Sequence, residues 1–116
     1  IIDLEAHGAK ISESDSLANE LASADVIYMT RIQKERFPDE DEYKKVAGSF
    51  KLEASDLTSC KESMIVMHPL PRVDEISPDV DQTTHARYFE QAFNGVVTRM
   101  ALLCRMMKVE VPSKIE

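Results

Sequence analysis

A chain of 116 residues has room for one core and at most one domain. With 43% hydrophobic and 30% charged residues it has an ordinary globular balance, which sets aside disordered and fibrous classes. A net charge of −7 without a cluster of Lys and Arg argues against a nucleic-acid partner, and no apolar run approaches the ~20 residues needed to cross a bilayer.

The chain opens on Ile1 rather than Met, the pattern of a piece of a longer protein. Ile1 to Glu5 reads equally as a strand end or a helix start, and Gly8 ends it. Ala9-Lys10-Ile11 reads as a short strand. Ser14 and Asp15 are good caps for a helix of about two to three turns, on which Leu17, Leu21 and Ala18 or Ala22 fall at helical spacing. Asp25 to Thr30 then has the β-branched and aromatic enrichment of a buried strand, with a polar exit through Arg31-Ile32-Gln33-Lys34-Glu35-Arg36.

From Gln33 to Ser49 the chain is polar. Phe37-Pro38 marks a turn, and Asp39 to Glu42 forms a capping box ahead of a short helix closed by Gly48. The acidic run there fits a solvated helix N-terminus better than a metal site, and so long a polar excursion at a strand tip is either a lid or an insertion. Ser49 to Leu52 is extended, and Ser55 caps a brief helix through about Glu62.

Met64-Ile65-Val66-Met67 is the pattern of a strand buried on both faces, and it stops at His68-Pro69-Leu70-Pro71-Arg72. Each proline removes a backbone N–H and pushes the residue before it toward extended geometry, so no ladder continues and the carbonyls are left to point elsewhere. Strand, helix, strand is the grammar of a parallel sheet, whose ligands bind beyond the carboxyl ends of the strands. Both apolar strands should end on one edge. An ordinary strand exit into a surface loop remains the plainer reading of the Pro-x-Pro tip.

Val73 to Asp81 is irregular and acidic, with neither a Gly-rich phosphate loop nor EF-hand spacing. From His85 to Met107, apolar residues at Ala86, Phe89, Phe93, Val96, Met100, Leu103 and Met107 alternate steps of three and four. One long helix is expected, capped by Thr83 or Thr84 and buried on more than a third of its circumference. Gly95 within it suggests close packing or a kink.

His7, His68, His85, Cys60 and Cys104 lack paired ligand spacing, which disfavours zinc. Two cysteines without a close pair fit a reducing compartment, and the cytoplasm is the expected location. No Gly-x-Ser-x-Gly elbow exists. Arg31 is the sharper candidate, because a guanidinium at a strand exit can bind a carboxylate in bidentate fashion. A surface pair with Glu35 is the alternative. With Gln33 beside it and the Pro69, Leu70, Pro71 tip nearby, the constellation suits a small amino acid or a dicarboxylate.

Tyr28 to Phe37, Met67 to Ile76, Tyr88-Phe89-x-Gln91-Ala92-x-Asn94-Gly95 and Arg99 to Leu103 together resemble, in order, the carboxy-terminal part of the aspartate carbamoyltransferases. The resemblance implies an α/β fold: a parallel sheet flanked by helices, part of the aspartate-binding domain, with a long C-terminal helix. It implies residues 1–84 as a partial L-aspartate-binding domain, 85–107 as a helix packing back on an absent N-terminal carbamoyl phosphate domain, and 108–116 as a tail. The implied activity is carbamoyl transfer from carbamoyl phosphate to L-aspartate in pyrimidine biosynthesis. It would proceed in a homotrimer, with no metal, no cofactor and no covalent intermediate.

By motif match, Arg31, Gln33 and Lys34 take the aspartate-binding positions, and Pro69, Leu70 and Pro71 form the carbamoyl phosphate-binding turn with a cis Leu-Pro bond. The segment from Gln33 to about Val46 matches a loop that closes over aspartate. No residue of this segment is assigned to catalysis, the family's phosphate loop and oxyanion-stabilising histidine are upstream of it, and His68 is not that histidine. An ornithine carbamoyltransferase is disfavoured by His68-Pro69-Leu70-Pro71 where that family has His-Cys-Leu-Pro. A non-catalytic domain of the same fold is disfavoured because Arg31 and the turn are intact.

Overall fold

The computed structural model describes residues 2–33, 37–39, 41 and 50–109. Helix α1, Ile2–Ala6, ends where Gly8 adopts φ 85°, and the Gly8 and Ala9 N–H groups donate back to the carbonyls of Glu5 and Leu4. This is a Schellman closure, in which only glycine takes the left-handed position without cost. Ala9 to Ile11 forms no strand, because Ala9 is spent on that closure. Helix α2, Leu17–Leu21, is shorter than the spacing suggests and has its N-cap one residue later than expected, at Ser16; the Ser14 hydroxyl instead bonds the Ser16 backbone in a local turn.

Strands β1, Val26–Tyr28, and β2, Ile65–Met67, pair in parallel with Val26 opposite Ile65 and Tyr28 opposite Met67. The expectation that both apolar strands end on one edge is therefore met. The other side of β2 is bonded too: Val66 N–H donates to His85 O and Arg87 N–H donates to Val66 O. That use of residues 85–87 as an extended rung delays the last helix, α3, to Tyr88–Met106, with Arg87 rather than Thr83 or Thr84 at its N-cap.

Among the described residues, two 3₁₀ turns complete the frame. Ala54–Ser59 is capped by Glu53 in a reciprocal box with Asp56, so Ser55 is not the cap, and Pro78–Gln82 has its proline in the first turn. Leu52 bridges Ile76, with Leu52 N–H donating to Glu75 O and Ser77 N–H to Leu52 O. This rung pins the segment after the turn beneath the sheet.

The core gathers one or two residues from almost every element: Leu21, Ile27, Met29, Leu52, Leu57, Met64, Val66, Ile76, Val80 and Tyr88. Ile27 and Val66 form the inner face of the strand pair. Its outer face is open, with Val26 and Tyr28 about half exposed, which corrects the reading of strands buried on both faces. Helix α3 departs further from the burial that its periodicity alone suggests. Tyr88 is fully buried, but Phe93, Met100 and Met107 are 68%, 61% and 73% exposed. The apolar stripe is real, and among the described residues nothing lies against most of it. The predicted cap at Asp39 to Glu42, the helix closed by Gly48 and most of the proposed lid fall outside the described residues, apart from the Asp41 N–H donating to Asp39 Oδ1.

Candidate functional site

Parallel pairing brings the two strand exits together at one edge. A cleft of about 760 Å³ opens there, walled by Thr30, Arg31 and Gln33 after β1 and by His68, Pro69, Leu70 and Pro71 after β2, with Phe37 also in its lining. Arg31, Gln33, Pro69, Leu70 and Pro71, separated by some forty positions in the chain, thus line one space. Lys34 lies outside the described residues. The Leu70–Pro71 peptide is cis, the geometry implied by the resemblance, and Leu70 has φ 50°.

The turn is held from beneath by His68, 1% exposed. Leu70 N–H donates to its Nδ1 at 2.8 Å, which requires a lone pair there and places the ring proton on Nε2. Nε2 then donates to Glu75 Oε1 at 2.6 Å, while Glu75 Oε2 accepts from Val73 N–H at 3.1 Å and Asp74 N–H at 3.2 Å. Burial alone would raise the Glu75 carboxyl, but the backbone N–H groups and the His68 ring outweigh it and hold it below the usual carboxylate range. From α3, Gln91 Oε1 accepts the His68 backbone N–H at 3.0 Å, and Gln91 Nε2 donates to the Tyr28 hydroxyl at 3.0 Å. One side chain thus ties both strand ends.

Beyond the turn, Arg72 faces its own fold. Its guanidinium grips Asp81 at both oxygens, with Nη2 to Oδ2 at 2.6 Å, and Nη1 also donates to the Tyr88 hydroxyl at 3.1 Å. The Tyr88 hydroxyl donates to Asp81 Oδ1 in turn. The Arg72 guanidinium also sits 5.4 Å from the Tyr88 ring centre, close enough for cation–π attraction. Arg72 and then Tyr88 hold the Asp81 carboxyl low, whereas burial and Asp81 push the Tyr88 phenol up to about 12.

Sequence reasoning missed Glu75, Asp81 and Gln91 as supports. Glu75 and Asp81 lie in the irregular acidic stretch, where no periodicity points to a partner. Tyr88 and Gln91 fall in the last helix, where only the blocks of resemblance single them out. Among the described residues no group of three His, Cys, Asp or Glu side chains is placed to hold a metal ion, and no helix is long and apolar enough to cross a membrane. Cys60 and Cys104 are both free thiols.

Residues 2–106 match the aspartate/ornithine carbamoyltransferase family's Asp/Orn binding domain. The aspartate carbamoyltransferase catalytic subunit of Methanocella arvoryzae is 56% identical over 93% of this chain and 35% of its own length. That of Archaeoglobus fulgidus is 64% identical over 75% of this chain and 29% of its own. Among solved structures, the catalytic subunit of M. jannaschii aspartate transcarbamoylase superposes with TM-score 0.80 at 48% identity, covering 92% of this chain and 35% of that one. The Trypanosoma cruzi aspartate transcarbamoylase in complex with carbamoyl phosphate and aspartate gives 0.78 at 37% identity, covering 88% and 33%. This chain spans about a third of the length of these relatives. With a family match running from α1 to the end of α3, the chain belongs to the aspartate/ornithine carbamoyltransferase family as part of its Asp/Orn binding domain.

Proposed function

We propose that this chain is the carboxy-terminal third of an aspartate carbamoyltransferase catalytic chain, and that its cleft binds L-aspartate against the carbamoyl group of carbamoyl phosphate. The observation that carries this reading is the meeting of Arg31 and Gln33 with the Pro69–Pro71 turn across one cleft. A guanidinium there grips an aspartate carboxylate with two parallel hydrogen bonds, with Gln33 and Lys34 supporting it. The turn offers backbone carbonyls, which accept from a carbamoyl NH₂ and reject a carboxylate. The aspartate amine attacks the carbonyl carbon; the new C–N bond forms, the C–O bond to phosphate breaks, and the amine gives up a proton.

This segment's part in that step is to hold two reactants in attacking geometry rather than to form a bond of its own. The phosphate and the oxyanion are left to the amino-terminal carbamoyl phosphate domain, so activity requires both parts. The exposed apolar face of α3 supports a helix that docks on that missing domain, since so long an apolar stripe is costly to leave in water. A homotrimeric, cytoplasmic enzyme of pyrimidine synthesis is the finer reading that the resemblance implies.

Arg31→Ala in the full-length enzyme tests the assignment. Loss of a charge-assisted carboxylate clamp is worth about 2–3 kcal/mol, or roughly 30- to 150-fold in the KM for aspartate, with little change for carbamoyl phosphate. Equal losses for both substrates would remove Arg31 from the aspartate site.

A further inference from the structure

We infer that His68 is a positioning residue, whose Nδ1 lone pair sets the direction of the Pro69 carbonyl. The inference rests on the reading of the cleft given above.

Leu70 N–H and Pro69 C=O belong to one planar trans peptide and point in opposite directions. Fastening the N–H to Nδ1 of a ring that is 1% exposed therefore turns the Pro69 carbonyl away from the interior, on the side where Pro69 itself is exposed at the cleft. A peptide free of that bond could rotate, and Leu70, at φ 50°, sits where a residue with a Cβ does not stay unaided. Nδ1 serves only as an acceptor. Glu75 secures that state by accepting a hydrogen bond from the Nε2–H, as a buried carboxylate orients a histidine elsewhere. Gln91 holds the His68 backbone in place. The ring acts on substrate through the turn and does not touch it.

The two bonds of the ring can be separated by substitution. An asparagine oxygen reaches the place of Nδ1, and a glutamine amide reaches the place of Nε2. His68→Asn therefore keeps the Leu70 bond and gives up the Glu75 bond, and His68→Gln does the reverse. In the full-length enzyme, His68→Gln should raise the KM for carbamoyl phosphate about tenfold or more, while His68→Asn keeps most of the affinity even though it melts at the lower temperature. Affinity that follows melting temperature, with His68→Asn worse in both, would overturn the inference and leave His68 as a structural residue. So would two variants both indistinguishable from wild type in KM.

Exchange of the Leu70 amide hydrogen, measured on the same three proteins, decides the bond without reference to activity. Protection in wild type and His68→Asn but not in His68→Gln sustains it, and equal exchange in all three refutes it. A wild-type enzyme that forms no carbamoyl-aspartate would fail the functional reading alone.

Discussion

Tyr88→Phe isolates one hydroxyl in a network that closes on itself. That hydroxyl donates to Asp81 Oδ1 and accepts from Arg72 Nη1, and the residue is fully buried. Removing it orphans neither charge, because Arg72 and Asp81 still hold each other at both oxygens. The cost near neutral pH should therefore stay at about 1–2 kcal/mol, below the cost of breaking the ion pair itself. The pH dependence is more telling. Burial and the Asp81 carboxylate raise the phenol from 10.0 to about 12. Between those values the unfolded chain releases its phenolic proton and the folded chain keeps it, so folded stability falls as pH rises. The wild type should lose about 2–3 kcal/mol by pH 12 on this account. Phenylalanine has no such proton. Urea denaturation of both proteins from neutral pH to pH 12 should thus show a gap that favours wild type, narrows above pH 10, and closes or reverses near pH 12. A gap that stays constant through that range would mean Tyr88 is not held neutral by this network.

Glu75→Gln presents one acceptor where His68, Val73 and Asp74 converge as three donors, and should destabilise by about 2 kcal/mol in urea denaturation at neutral pH. Because the Glu75 carboxyl is held low, its contribution is complete above its ordinary 4.5 and disappears as pH falls through the folded value, so the gap to wild type should close in acid. Gly95→Ala should stabilise by about 0.5–1 kcal/mol, since the added Cβ meets only the end of the Arg99 side chain, Nη1 at 2.7 Å, which can swing aside; a lower melting temperature would mean that the backbone itself is needed close at that point. Met100→Glu distinguishes an open from a docked α3: a solvated site changes stability by under about 0.5 kcal/mol, whereas a carboxylate forced against the proposed domain costs more than about 2 kcal/mol in thermal denaturation of the full-length enzyme.

The parts of this fold that were legible in the sequence are those whose cause is local. Two short apolar runs with polar or proline exits are two strands, and their parallel pairing puts Arg31 and the Pro69–Pro71 turn on one edge. What could not be read depends on partners brought together by the tertiary fold. His85 to Arg87 look helical by spacing, yet Val66 captures their backbone and the helix starts later. Ala9 is taken by the closure of α1. Glu75 and Asp81 sit among other acidic residues, and only the fold chooses which acid meets His68 and which meets Arg72. Burial read from periodicity alone failed for a different reason, although the resemblance already implied a helix packing on an absent domain. An amphipathic stripe says that a face seeks cover, and it does not say that the cover lies in the same stretch of chain.

That last point bears on how the site is built. Helix α3 is 19 residues, about 28 Å of rigid rod. Its first turn holds Tyr88, which completes the Arg72–Asp81 network after the Pro69–Pro71 turn, and Gln91, which bonds His68 N–H on one strand end and the Tyr28 hydroxyl on the other. Its remaining turns present Phe93, Val96, Met100 and Leu103 outward. A helix end that grips both walls of the cleft, joined without a break to a face that seeks an apolar partner, makes the cleft's placement and the docking of that face a single mechanical problem. On the proposed docking, the far turns of α3 would carry the turn carbonyls and Arg31 to a defined position against whatever that domain holds. No flexible link intervenes on the α3 side.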